Sequence, residues 1–390
     1  MTTAGNGKTQ TTLERILASS LQLFSERWYS SVSIAEICRA AGVSNGIFYR
    51  YFPNKEALIK RILDETIQEI AQALAAVAGV SVRERLESMA DILLGFSAGH
   101  PDVVTVFREG QYRYFEYERR LTDRYRRTLS QTLGRTVGMH EYLFAMGGIR
   151  FASVRSALHG SAVSAESLHH ILREGAFPGL DFNEIKVFDI SVQPPVLELD
   201  EGSRERMLRA GKKLFGEKDY HEVNIHEITD AAGLAVGSFY KYFDGKETFF
   251  CELIDSAGRE IRRFIARNMS QGLNRLEREL QGIYLFGVFL SLDRWCYNIV
   301  REGEFVAPGR VRDYYAAFER GYERLGGEGL SPERAASSSY RSTLIEFLLG
   351  IAHYYGIELL FDGFPRGARS VLCSLGRLLS DGVETEQEQH

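Results

Sequence analysis

No two of the four cysteines, Cys38, Cys251, Cys296 and Cys373, stand at CxxC spacing, which excludes a local thiol metal or redox motif and leaves them as buried free thiols. No apolar run approaches the length of a membrane span, and the polar start MTTAGNGKTQTT is not a signal peptide, so the expected location is cytoplasmic, with no membrane partner. A positive balance is missing too. The 47 lysines and arginines face 52 acidic residues, a net charge of −5, which argues against wholesale coating of nucleic acid. Nothing resembles a P-loop, a dinucleotide fingerprint, a GxSxG elbow or a metal quartet, so no enzyme, catalytic residue, cofactor or metal is expected. His169-His170 has no cysteine or carboxylate at ligand spacing, and Gly326-Gly327-Glu328-Gly329 has no following lysine to reach a phosphate.

What is present is an ordinary globular composition, 44% hydrophobic and 25% charged, over 390 residues, enough for two to four domains. It is organised by a repeat. The stretch AAGVSNGIFYRYFPNK at residues 40–55 recurs 191 positions later as AAGLAVGSFYKYFDGK at residues 231–246. At that offset residues 12–59 lie over 203–250 without a gap, and 21 of the 48 pairs are identical, which implies two whole modules. The modules differ in charge. Residues 1–60 hold seven basic and four acidic side chains, whereas residues 201–250 hold eight and nine.

Within the first copy, Leu13, Ile16, Leu17, Leu21 and Phe24 recur at helical spacing. Ser33, with Glu36 three residues on, is a capping-box start for a helix through Cys38, and Gly42 supplies the turn after it. Ser44 caps a third helix over residues 45–52, in which Phe48 and Phe52 point inward while Tyr49 and Arg50 face out. A long fourth helix starts at Lys55. Helix, glycine turn, helix is the unit whose second helix enters the major groove.

This order, together with the FYRYFPNKEAL string, resembles the TetR family of bacterial transcriptional regulators, present as two fused tandem copies. The resemblance implies an all-α fold of two halves, each a three-helix DNA-binding bundle with a helix-turn-helix and a larger helical ligand-binding and dimerisation domain, together a pseudo-two-fold single-chain dimer. It implies that Ser33, Tyr49 and Lys55 touch phosphates, and that Ser44, Asn45, Gly46, Ile47 and Arg50 face bases. By position the second copy offers Asn224, Tyr240 and Lys246 for phosphates, with Ala235, Val236, Ser238 and Lys241 towards the groove. Where the family has glycine after the first helix, this chain has Trp28 and Asp219, so that corner is expected to end differently. Ala235 removes the cap serine, Val236 replaces Asn45 and Asp244 replaces Pro53, which marks the second reader as weaker or differently specific.

The expected domains are residues 11–55 and 202–246 as readers, 56–180 and 247–382 as regulatory domains, and 181–201 as an extended linker around Pro194-Pro195, in which Ile185, Val187, Ile190 and Val192 read as a stray strand. A faint echo, VFREG at 106–110 against IVREG at 299–303, joins the regulatory regions. Two apolar segments, 143–158 and 344–361, carry Gly147, Gly148 and Gly350 and are expected to pack the halves together. Arg108, Tyr112, Arg301, Trp295, Tyr315 and His353 are the candidates for a pocket taking a small apolar or aromatic effector, which would tilt the fourth helix. The expected function is a repressor bound to a double-stranded DNA operator and released by that effector. In the alternative, the C-terminal half is a scaffold and two chains associate to use their N-terminal readers. The chain is accordingly a monomeric pseudo-dimer or a homodimer.

Overall fold

The computed structural model describes residues 11–195, 202–361 and 367–383. The expected tail at 1–10, part of the linker and the break at 363–365 lie outside the described residues. Among the described residues every regular element is helical. The first part comprises α1 (Thr12–Glu26), α2 (Ile34–Ala41), α3 (Asn45–Tyr51), α4 (Lys55–Leu74), α5 (Val82–Gly99), α6 (Pro101–Arg113) and α7 (Phe115–Leu133). It continues with α8 (Met139–Glu141), a π-turn (Tyr142–Gly147), α9 (Gly148–His159), α10 (Ala165–Glu174) and α11 (Glu184–Phe188). The second reader is α12 (Ser203–Glu217), α13 (Ile225–Ala231), α14 (Val236–Phe239) and α15 (Lys246–Asn268). Last come α16 (Arg275–Leu292), α17 (Trp295–Val306), α18 (Pro308–Leu325), α19 (Pro332–Ala336), α20 (Ser338–Phe361) and α21 (Ala368–Asp381).

The chain divides into two compact units: residues 1–75 with 99–124, and residues 76–98 with 125–390. In the first, Thr11 and Glu14 close a capping box at the start of α1, and Ser33 and Glu36 close another on α2. Gly42 ends α2 at φ 64°, a left-handed conformation that only glycine adopts without strain. Ile16, Phe24, Ile37, Phe48, Phe52, Leu58 and Leu63 fill the core. Helix α6 lies against α4 so closely that a Cβ on Gly110 would stand 2.4 Å from Leu63 Cδ2.

In the second unit α20 runs between α9 and α16. Gly350 meets the Gly147 carbonyl, Phe347 packs over Gly148, and Tyr355 fills the space beside Gly287. Arg155 on α9 bonds Glu346 of α20 at 3.1 Å and also pairs with Glu319 of α18. The two apolar segments therefore pack together, although the first is a π-turn running into α9 and not one uninterrupted helix. Helix α20 also corrects the expectation about apolar runs. Ser338–Leu360 is long and apolar enough to cross a membrane, yet 78% of its most apolar window is buried inside the protein, which makes it a core helix.

The first half of the stretch read as a stray strand is helix α11, and Ile190 and Val192 lie beyond its end. Asn183 caps it through the Lys186 N–H, and Val187 and Phe188 are buried. Gln281 of α16 donates to the Val187 carbonyl at 2.9 Å, and Lys186 Nζ bonds Glu277 at 2.8 Å. The first part of the expected linker is thus docked on α16, because five residues can bury two apolar side chains there and satisfy their backbone on its polar groups.

Candidate nucleic-acid interface

Phe48 and Phe52 are 0% and 6% exposed and anchor α3, which turns Tyr49 outward at 55%. Asn45, Gly46 and Arg50 are exposed and Ile47 is half-buried. No carboxylate among the described residues pairs with Arg50. Ser44 accepts the Ile47 N–H at 3.3 Å, capping the helix. Ser33 is exposed but engaged, its hydroxyl donating to Glu36 at 2.7 Å. Tyr51, 45% exposed, joins the same surface, and sequence reading missed it because the phenylalanine pair alone was used to set the helix's faces. Its counterpart is Tyr242, at 48%.

Lys55 stands apart from these. Its Nζ donates to the Tyr29 and Val32 carbonyls at 2.8 and 2.7 Å and lies 4.3 Å from the Tyr29 ring centroid. Lys246 repeats this on Tyr220 and Val223, at 2.9 Å for both bonds. Burial lowers the pKa of both ammonium groups. Each lysine braces the corner between the first two helices, with two of its three donors already used. That corner has no left-handed residue: Arg27 and Trp28 are extended, as is Lys218 in the second copy, so no strain attaches to the missing glycine.

The second reader keeps the core and loses the ends. Phe239 and Phe243 are buried, Tyr240 is 58% and Val236 37% exposed, Lys241 is exposed and Ser238 half-buried. Asn224 caps α13 through the Glu227 N–H at 3.0 Å. At Ala235 no side chain caps α14, which spans four residues where α3 spans seven. At the next start Asn54 caps α4 through Ala57 at 2.8 Å, but its counterpart Gly245 leaves α15 uncapped by a side chain. The alanine at the α14 cap costs about 1 kcal/mol, and the glycine at the α15 cap only about a few tenths.

The α2 cap carries a pH expectation. Arg27, then the Ser33 hydroxyl and N–H, hold the Glu36 carboxyl down to about 2 from 4.5. A carboxyl depressed in the fold stabilises it above the ordinary value and stops doing so as pH falls through the folded one. The first turn of α2 should therefore loosen between pH 4.5 and about 2. In NMR the Glu36 carboxyl carbon should titrate near 2; a midpoint near 4.5 would mean the box is not formed.

The six effector candidates scatter. Arg108 and Tyr112 lie half-buried on α6. Trp295 packs against Gly216 of α12, and Arg301 is buried in α17. Tyr315 and His353 meet, with the Tyr315 hydroxyl 3.5 Å from His353 Nδ1 and the imidazole 5.3 Å from the Phe151 ring. None of the six lines the cavity of about 330 Å³ that opens in the second unit among Phe177, Arg275, Glu319, Tyr322, Arg341 and Glu346. Of the histidine pair, His169 bonds Asp91 at 2.9 Å, and His170 lies beside Glu174 and Arg173. Glu260, Asp293 and Cys296 bring three metal-type donor atoms together, but Lys212 already supplies a cation there, 2.6 Å from Glu260 and 2.5 Å from Asp293.

The sequence family described as bacterial regulatory proteins, tetR family, matches residues 16–62 and again 207–253. The chain carries the tetR-family domain twice. The two tetR-family domains fall on α1–α4 and α12–α15, the elements that carry the exposed tyrosines and the braced corners. Over 110 residues the chain is 31% identical to the uncharacterized HTH-type transcriptional regulator YdgC of Bacillus subtilis, covering 27% of this chain and 55% of that protein. Over 66 residues it is 39% identical to the HTH-type transcriptional regulator UidR of Escherichia coli K12, covering 17% and 32%. The chain thus spans about half or less of the length of these relatives. Among solved structures, the fatty acid degradation regulator FadR from Bacillus halodurans aligns with 48% of this chain and 100% of its own, at 14% identity and a TM-score of 0.40.

Proposed function

We propose that the chain is a cytoplasmic DNA-binding transcriptional regulator whose first reader carries most of the affinity. The observation behind this is the capped helix α3, with Tyr49 and Arg50 exposed and no carboxylate neutralising Arg50 among the described residues. Tyr49 and Tyr51 suit the duplex backbone, while Asn45, Gly46 and Arg50 suit base edges; Ser33 and Ser44 serve mainly as caps, and Lys55 and Lys246 hold the corners. In the second reader Tyr240, Lys241 and Tyr242 offer the same contacts from the turn that follows the four-residue, uncapped α14.

Duplex affinity should fall steeply between ~50 and ~200 mM salt. Y49A/R50A should weaken it by roughly ten- to a hundredfold. Y240A/K241A should cost less than about threefold, since these residues follow a four-residue helix that lacks the side-chain cap of α3. Electrophoretic mobility shifts on a duplex selected from a random pool measure all three. Equal losses from the two readers would contradict the asymmetry, and no salt dependence would contradict the function. Because α14 is short and uncapped, a second reading has specific support: the C-terminal half acts as scaffold. Light scattering decides between one chain mass, for a fused pair, and two.

For the effector, the cavity in the second unit offers a nearly neutral wall: Glu319 and Glu346 are paired with Arg155, Glu328 with Arg278 and Arg275 with Glu279, with Phe177, Leu344 and Leu348 between them. Such a wall suits the small apolar effector expected from the sequence. Hexanol should raise the melting temperature and alter duplex affinity, and hexylamine should do neither; the reverse pattern would favour a cationic effector.

A further inference from the structure

The echo VFREG and IVREG has a structural counterpart in both copies. In the first, both carboxylate oxygens of Glu109 on α6 accept the backbone N–H of Tyr29, at 3.0 and 2.9 Å. Across the same residue the Tyr29 carbonyl accepts from Lys55 at 2.8 Å. In the second, Glu302 on α17 accepts the Tyr220 N–H at 2.5 Å, and Lys246 donates to the Tyr220 carbonyl at 2.9 Å. Glu109 and Glu302 are 5% and 4% exposed, so each carboxylate is withdrawn from water beside that peptide group, with Arg113 also 4.0 Å from Glu109. The residue after each is glycine. A Cβ there would come within 2.4 Å of Leu63 at Gly110 and 2.7 Å of Ile254 at Gly303, and Leu63 and Ile254 occupy equivalent positions on α4 and α15.

The pinned residue has little slack before the reader. From Tyr29 the chain runs through Val32, whose carbonyl Lys55 also holds, into the Ser33 cap of α2. Helix α2 then turns at Gly42 directly into α3. A buried charged acceptor on a backbone N–H is among the stronger single bonds a fold makes, and it is directional. A small shift of α6 therefore pulls the corner with it, where an apolar contact would slide.

We propose that Glu109 and Glu302 are positioning residues that tie the angle of each reading helix to the helix behind it, α6 in the first copy and α17 in the second. The tie is the same at both ends of the chain although the regulatory regions around it have otherwise diverged. Its consequence for affinity rests on the DNA-binding reading above; the tie itself does not.

The test uses the full chain with E109A, E302A and the near-isosteric E109Q and E302Q, read by hydrogen exchange and by affinity for the duplex that the wild type selects. E109A should speed exchange at residues 29–33 by about tenfold or more while the core of α4 stays protected. It should also weaken duplex binding by about tenfold. E109Q, whose amide oxygen still accepts the N–H, should keep most of both and remains measurable if E109A fails to fold. E302A should speed exchange at residues 220–224 with a smaller loss of affinity. Local exchange with unchanged affinity would overturn the positioning role, and unchanged exchange at the corner would overturn the tie. Should the wild type select no duplex, the DNA-binding reading fails, and the exchange arm still judges the tie.

Discussion

Replacing Lys212 with methionine should destabilise the second unit by about 3 kcal/mol, seen as a lower urea midpoint with an unchanged slope. The ammonium is the only cation between Glu260 of α15 and Asp293 beside α17 among the described residues, and Cys296 donates to the same aspartate at 3.4 Å. Burial works against its charge, but Cys296, Glu260 and Asp293 outweigh that and hold the Lys212 pKa above the ordinary lysine value. Removing it leaves the Asp293 side chain, 16% exposed, beside Glu260 with nothing between them. Taking one partner from such a group costs more than the group was worth, since the remaining charges stay desolvated. Glu260, 38% exposed, recovers some hydration, which keeps the figure at the lower end of the range for buried pairs. K212M/D293N should regain part of the loss. A K212M midpoint equal to the wild type would show that the three helices do not depend on this clamp. Position 21, the counterpart of Lys212, is Leu21, so the first reader has no such clamp to lose.

The second large effect is expected at Gly350. A Cβ there would lie 2.5 Å from the Gly147 carbonyl oxygen and 2.6 Å from Phe151 Cβ, neither of which can move without α9. G350V should therefore force α9 and α20 apart, at about 3 kcal/mol. The strain would reach the Arg155–Glu346 pair, since both residues ride on the same two helices. Gly95 provides the control, being exposed on α5 with nothing within 4 Å of an added Cβ. G95A should raise stability by up to about 1 kcal/mol by reducing the freedom of the unfolded chain. Calorimetry of the two variants would refute the close seam if they shifted the melting temperature alike.

The readers were legible because their signals are local. The capping boxes, the Gly42 turn and the four-residue spacing of Phe48 and Phe52 each follow from chemistry within one helical turn. The cost of Ala235 was legible for the same reason, although its effect on helix length was not. The role of Lys55 was hidden because its partners are backbone carbonyls, which leave no trace in side-chain identity. Helix α11 was missed because five residues cannot establish a period, and what drives it is burial on α16, a tertiary event. The cavity is lined by residues brought together from α16, α18 and α20, and a tally of aromatic residues contains no such information.

The seam of Gly147, Gly148 and Phe151 against Gly350 and Phe347 has its two faces written at separate places in one polypeptide. In an association of identical subunits each substitution appears on both faces at once, so an enlargement on one side cannot be matched by a reduction on the other. Here a bulkier residue at one position can be accommodated by trimming its neighbour across the seam. The two faces are free to drift apart in sequence while remaining complementary in shape.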